Sequence, residues 1–149
     1  MKKFEFSLSH MLDYKNRILD EEQDVLQRLK AERDAIQQAV EQLRREFENV
    51  SAQMQQAQQQ GTTVRKMRGF VMQLQSARIQ LKEMSAALQK AEKKVEEQTE
   101  VVVAANQEVS KLDKLQEKQM DDYRRRAQKA DEQRIEELVA MKISRPDAG

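Results

Sequence analysis

The chain has 149 residues, of which 36% are charged and only 4% are aromatic. Its 27 basic and 26 acidic residues leave a net charge of +1 at pH 7, and this near balance argues against a dedicated nucleic-acid binder. Three glycines and one proline are too few for the turns of a sheet or a compact αβ domain. Because the chain lacks cysteine, disulfides and thiol catalysis are excluded. This composition is typical of long helices and coiled coils.

The first predicted element is a helix over residues 6–59. Apolar residues recur there at alternating steps of three and four, which is the seam of a coiled coil. This first seam is formed by Leu8, Met11, Ile18, Val25, Leu29, Ile36, Val40, Leu43, Phe47, Val50, Met54 and Ala57.

A polar segment at residues 60–63 is the one credible interruption of the pattern. Gly61 suits a left-handed C-cap, and Thr62 or Thr63 suits the N-cap of a following helix. The stripe that follows predicts a second helix over residues 64–142, ahead of a frayed tail over residues 143–149. This second seam is formed by Val64, Met67, Val71, Leu74, Ala77, Leu81, Met84, Leu88, Ala91, Val95, Val102, Ala105, Val109, Leu112, Leu115, Met120, Tyr123, Ala127, Ala130, Ile135, Leu138 and Met141.

The short connection makes the two helices antiparallel neighbours. We therefore predict an all-α fold, a single domain over residues 1–149 in which two long helices form an antiparallel coiled-coil hairpin. If the pairing is symmetric about Gly61, Leu8 lies near Lys114, and helix two overhangs helix one after about Lys118. The overhang keeps its apolar stripe. A partner protein or a second copy must cover it, because an amphipathic helix gains most of its stability from packing that face.

No constellation for catalysis, cofactor binding or metal binding emerges from the sequence. His10 is the only histidine and is interpreted as a surface residue, since a single ligand holds a metal poorly. The glycines are too scattered for a phosphate-binding loop. Residues 101–105 form the longest apolar run, far short of the roughly 20 residues that span a membrane, and residues 1–5 lack the features of a secretory signal. We predict a protein that is not an enzyme and uses no cofactor.

Two basic clusters and a wide apolar strip are candidate contact surfaces. The cluster at residues 64–68 has no acidic neighbours, so it is either a solvated helix face or a contact for an acidic partner, a phosphate or an anionic lipid. The cluster at residues 124–126 is balanced by nearby aspartates. Phe70 widens the strip beside Val71 and Leu74, which indicates either a locally thicker seam or an exposed interaction site.

Two motifs near opposite ends of the chain carry a family resemblance. The first is Phe4-Glu5-Phe6-Ser7-Leu8 with Met11-Leu12-Asp13-Tyr14-Lys15, followed by Glu21-Glu22. The second is the run KLDKLQEK at residues 111–118, followed by Tyr123 and by Glu136-Glu137-Leu138. The pair resembles the F-x-F-x-L…V-L-x-Y-(R/K) start and the K-L-x-x-L-x-E-K…Y…(D/E)-E-L ending of the flagellar export FliJ family. The similarity covers essentially the whole chain.

The resemblance implies a cytoplasmic coiled-coil stalk of the flagellar type III export apparatus, similar to the rotor stalk of rotary ATPases. The implied partners are a hexameric export ATPase, an export-gate membrane protein and export chaperones. The chain would reach the inner face of the cell membrane only through such partners.

The resemblance also implies two sets of contact residues. In the family, the end that carries both chain termini enters the ATPase ring, and a strip early in helix two contacts the gate together with the facing part of helix one. The positions implied for the ATPase are Phe4, Phe6, Leu8, Met120, Tyr123, Ala127, Ile135 and Leu138. The positions implied for the gate are Leu43, Phe47, Phe70, Leu74 and Ala77.

Other functions stay open on the same features. A generic homodimeric scaffold would use the same heptads between two copies. The stalk of a virulence type III secretion system would be stabilised by the same coiled-coil packing, although the Phe4-Glu5-Phe6 start favours the flagellar branch. A membrane-surface amphipathic helix is disfavoured, since it would need a basic polar face and acidic residues are interspersed among the basic ones.

Overall fold

The computed structural model describes residues 2–144, which contain two helices and no strand. Helix α1 spans Ser9–Gln60 and helix α2 spans Val64–Ser144. The two helices pack against each other as a hairpin, and α2 is the longer. The predicted all-α hairpin is confirmed. Of the predicted frayed tail, residues 143–144 are the last of α2, and residues 145–149 lie outside the described part.

Helix α1 begins slightly later than residue 6. The Leu12 N–H donates to the Leu8 carbonyl at 2.9 Å, and the Ser9 N–H donates to the Phe6 carbonyl at 3.1 Å. Residues 2–6 ahead of this turn are not helical. An extended chain advances about 3.3 Å per residue and a helix about 1.5 Å, so the unwound segment reaches further than a helix of the same length.

The connection between the helices has the predicted chemistry. Gly61 has a φ of +87°, the left-handed conformation that glycine adopts without steric cost. Thr63 is the N-cap of α2, because its Oγ1 accepts a hydrogen bond from the Lys66 N–H at 3.3 Å and its carbonyl accepts one from the Met67 N–H at 3.1 Å. Gly61 thus follows the end of α1 directly, and Thr63 caps the start of α2.

Alanine at the two internal glycines should change stability in opposite directions. A Cβ at either Gly61 or Gly69 would meet no atom within 4 Å, so the backbone conformation alone determines how each substitution changes stability. Gly61→Ala should destabilise the protein by about 1 kcal/mol because of the positive φ. Gly69→Ala, inside α2, should stabilise it by up to about 1 kcal/mol. Urea unfolding followed by circular dichroism measures both, and equal effects would contradict the left-handed turn.

The chain divides into two compact units, which we describe separately. One unit is Asp20–Val103, which contains the turn. Its buried side chains are Leu26, Val40 and Val95. The Gln98 Nε2 donates to the Glu22 carbonyl at 3.0 Å, which joins α2 to α1. That pairing agrees within two residues with a register symmetric about Gly61.

The other unit is Met1–Leu19 with Ala104–Gly149. Its buried side chains are Phe6, Leu19 and Val109. The non-helical segment ahead of α1 lies against α2 in this unit, as described below. The prediction of one domain over residues 1–149 stays a prediction.

Several positions predicted for the seams are not packed in them. Met11, Val64 and Val71 are 49%, 77% and 52% exposed. Conversely, Leu19 and Leu26 are buried, although the predicted stripe passes through the residue before each. Adjacent apolar residues share one edge of a helix, so spacing alone does not decide which of the two packs inward.

Candidate partner-binding surfaces

The last part of α2 presents apolar side chains that nothing in its unit covers. Every residue from 128 to 144 is exposed. Among them are five large apolar side chains, with exposed fractions from 49% to 79%. We call this surface the terminal apolar face; it consists of Ile135, Leu138, Val139, Met141 and Ile143. An uncovered group of this kind marks a surface for another molecule.

The segment ahead of α1 contacts α2 at Tyr123, close to the buried Phe6. The rings of Phe4 and Tyr123 lie with centroids 5.5 Å apart and planes at 52°. The Tyr123 hydroxyl donates a hydrogen bond to the Lys2 carbonyl. We call this arrangement of Lys2, Phe4 and Tyr123 the N-terminal clasp. A shallow concavity beside it is lined by residues of both segments, including Lys3, Glu5 and Arg126.

The clasp corrects the predicted start of the overhang. Symmetry about Gly61 ended the cover of α2 at about Lys118, whereas Phe4 contacts Tyr123. The reason is that residues 2–6 are not helical, so their reach along α2 is not limited to the 1.5 Å per residue of a helix. The uncovered part therefore begins after Ala127, which is still half-buried.

The residues implied for the ATPase fall into two groups within their unit. Ile135 and Leu138 are 60% and 57% exposed and belong to the terminal apolar face. Of the other six, Phe6 is buried and the remaining five are half-buried. These half-buried residues are Phe4, Leu8, Met120, Tyr123 and Ala127. The predicted stripe follows Ile135, Leu138 and Met141 at steps of three and leaves out Val139 and Ile143, which follow Ile135 at steps of four.

The five residues implied for the gate are all half-buried in the unit Asp20–Val103. The Arg78 guanidinium lies 6.0 Å from the centroid of the Phe47 ring, a cation–π contact that joins α2 to α1. The exposed apolar residues nearby are Val71, which the predicted seam includes, and Met72 and Ile79, which it does not; Met72 and Ile79 are 63% and 54% exposed.

Within residues 2–144, no group of three or more His, Cys, Asp or Glu side chains is placed to hold a metal ion. No helix in the described part is long and apolar enough to cross a membrane. The ion pairs found there are local, such as Lys111 with Glu108 at 3.6 Å, one turn apart on α2. The surfaces above therefore offer apolar contact area and distributed charge.

A model of the protein family described as "Flagellar FliJ protein" matches residues 4–148. The chain belongs to the FliJ family. No curated protein and no solved structure matches it significantly. Membership gives this FliJ-family chain a role associated with flagellar export. The residues implied for the ATPase and for the gate stay predictions.

Releasing the N-terminal clasp should loosen residues 2–8 of this FliJ-family chain without unfolding the helices. Tyr123→Ala removes both the ring that packs on Phe4 and the hydroxyl bonded to Lys2. An aromatic pair contributes about 1 kcal/mol beyond its buried area, so amide exchange in this segment should accelerate at least about fivefold. Hydrogen exchange with mass spectrometry measures it. Tyr14→Ala, at a 55% exposed position, is the control, and equal acceleration in both variants would contradict the clasp.

Proposed function

We propose that this protein is the cytoplasmic coiled-coil stalk that binds the centre of a hexameric flagellar export ATPase. It promotes the assembly and activity of the ring, links the ring to the export gate, and assists chaperones that deliver export substrates. Membership of the FliJ family supports the export role. The stalk assignment is a prediction that rests on the terminal apolar face.

The terminal apolar face is the observation that carries the proposal. Its residues lie on the last turns of α2, beyond the reach of the N-terminal segment. Charged residues of both signs lie within and beside it: Lys142 lines the same hollow as Leu138 and Met141, and Arg134 and Glu136 flank Ile135 in sequence. A single helix with exposed apolar side chains among charges of both signs suits a socket inside a larger protein, where the apolar side chains lose their water and the long charged side chains extend to polar groups.

The gate contact is assigned to the strip of Leu43, Phe47, Phe70, Leu74 and Ala77. Each of these side chains is half-buried between the helices and keeps part of its surface accessible. A partner that packs on such a strip gains apolar contact area on a hairpin that is already ordered, so it does not need to order the stalk as it binds.

The mechanism needs no active site on the stalk. Subunits of a working ATPase ring differ in conformation at any moment, and a stalk in the centre contacts them unequally. A ligand shifts a conformational equilibrium toward the state that it binds more tightly. Unequal contacts therefore favour assembly of the ring and bias the order in which its subunits hydrolyse ATP.

The deciding experiment measures ATP hydrolysis by the purified cognate export ATPase with and without this protein. We expect the full chain to bind the ring and to stimulate hydrolysis. A full-length protein that is helical by circular dichroism but neither binds nor stimulates would contradict the proposal and favour the homodimeric scaffold.

A further inference from the structure

The part of the chain around the turn has an unusual charge distribution. Residues 49–82 contain no aspartate and no glutamate, although acidic residues are frequent on either side. The same stretch has five basic residues: Arg65, Lys66, Arg68, Arg78 and Lys82. All five are exposed. Residues 49–82 therefore carry a local excess of positive charge, and the nearest acidic residues are Glu46 and Glu48 on α1 and Glu83 on α2.

The same stretch of α2 has a second stripe, made of apolar and polar side chains, that faces away from α1. Its residues recur at steps of three and four and are all exposed, which places them on one outward side of the helix. We call it the outer stripe; it consists of Val64, Arg68, Val71, Met72, Gln75, Ile79 and Lys82. Its four apolar members are 52% to 77% exposed. Arg65 borders the stripe.

We propose that the outer stripe of α2 lies on the surface of an anionic lipid bilayer. Lysine and arginine side chains on an amphipathic helix are attracted to anionic headgroups, and apolar side chains between them enter the boundary with the acyl chains. The outer stripe places both kinds of side chain on one face. The contact is direct and goes beyond both the proposed function and the sequence-based prediction that the chain reaches the membrane only through protein partners.

A bilayer suits the outer stripe better than a partner helix does. Arg68 lies between Val64 and Val71 along the stripe, so it would be buried in the middle of a helix–helix seam. Seams keep such positions apolar, because an unpaired buried charge is costly. At a lipid surface, a long basic side chain extends its charged end to the headgroups while its stem stays among apolar groups. The alternation of basic and apolar residues along the outer stripe is therefore compatible with binding to a lipid surface.

The charge part of the proposal is tested with vesicles and two matched variants. The full-length protein is sedimented with vesicles of equal parts phosphatidylglycerol and phosphatidylcholine, and with vesicles of phosphatidylcholine alone. One variant combines Arg65→Gln, Arg68→Gln and Lys82→Gln. The control combines Lys90→Gln, Lys93→Gln and Lys94→Gln, which removes the same charge from exposed positions of the same unit. Arg78 is left unchanged, since it contacts Phe47.

We expect binding to the anionic vesicles only, with loss at high salt. The first variant should bind roughly a hundredfold more weakly, since each basic residue near an anionic surface strengthens binding about fivefold. The control should bind within about threefold of the unchanged protein. Absence of binding by the helical full-length protein, equal binding to both vesicle types, or equal loss in both variants would overturn the proposal.

The apolar part has its own pair of variants. Met72→Gln with Ile79→Gln should weaken vesicle binding several-fold, and Ile135→Gln with Leu138→Gln should leave it unchanged. A competing experiment uses soluble polyglutamate. If the protein binds polyglutamate more tightly than the anionic vesicles, the stripe serves an acidic protein and the bilayer proposal is wrong. Neither measurement involves the ATPase, so failure here is separate from failure of the stalk function.

Discussion

Ile135→Gln combined with Leu138→Gln will raise roughly a hundredfold the concentration of this protein that half-maximally stimulates the export ATPase, while leaving the protein folded. Both side chains are more than half exposed in the free protein, so their replacement should change the free energy of unfolding by less than about 0.5 kcal/mol. In the ring both would lose their water. Burying two such side chains contributes about 3 kcal/mol together, and its loss weakens binding roughly a hundredfold.

The matched control for this prediction is Met72→Gln with Ile79→Gln. Its two side chains are exposed to almost the same degree, and they lie in the unit Asp20–Val103 instead. Titrating the ATPase with each protein gives the concentration needed for half-maximal stimulation. An unchanged half-maximal concentration for the Ile135 and Leu138 variant would move the ATPase contact away from the terminal apolar face. If the control raised the half-maximal concentration equally, the ring would recognise exposed apolar side chains wherever they lie on this protein.

The hairpin was predictable because its signals are local and repeated. A three-four apolar spacing over more than a hundred residues has one interruption, and that interruption supplies Gly61 for a positive φ and Thr63 for a cap. The register follows from the short turn, and the hydrogen bond between Gln98 and Glu22 lies close to the predicted pairing. Composition alone already excluded a sheet.

The surfaces were less predictable because spacing describes a helix face without describing what covers it. Val71 fits the seam by its position, yet it is half exposed. Met72 and Ile79 fit no predicted seam, although they continue the outer stripe. The reach of the N-terminal segment was missed for a related reason, since a helix had been assumed through Leu8. The contact between Phe4 and Tyr123 needs the unwound segment that the structure shows.

The two candidate surfaces differ in the chemistry that they offer. The terminal apolar face has acidic and basic neighbours in similar numbers, so apolar contact dominates it. The outer stripe has mostly basic neighbours on α2, namely Arg65, Lys66 and Arg78, with Glu83 at its end. Salt screens exposed charges and leaves apolar contacts in place. Raising the ionic strength should therefore weaken the lipid contact far more than the ATPase contact, which gives one titration that separates the two proposals.

Val40→Asn will destabilise the unit Asp20–Val103 more than any exposed substitution in it. Val40 is 3% exposed, the most buried side chain of the described core. Asparagine there loses the apolar burial of valine, worth about 1.5 kcal/mol, and leaves a buried amide without a partner at about 1–3 kcal/mol. The total is about 3 kcal/mol, a large part of the stability of a typical small domain.

Val103→Asn is the control for this change, because valine and asparagine have similar helix propensities and Val103 is 49% exposed. It should shift the free energy of unfolding by no more than about 0.5 kcal/mol. Urea unfolding followed by circular dichroism measures both variants. If the two midpoints moved equally, the seam between α1 and α2 would not hold this unit together. The partner surfaces would then have to be explained by a fold in which the helices pair with another chain.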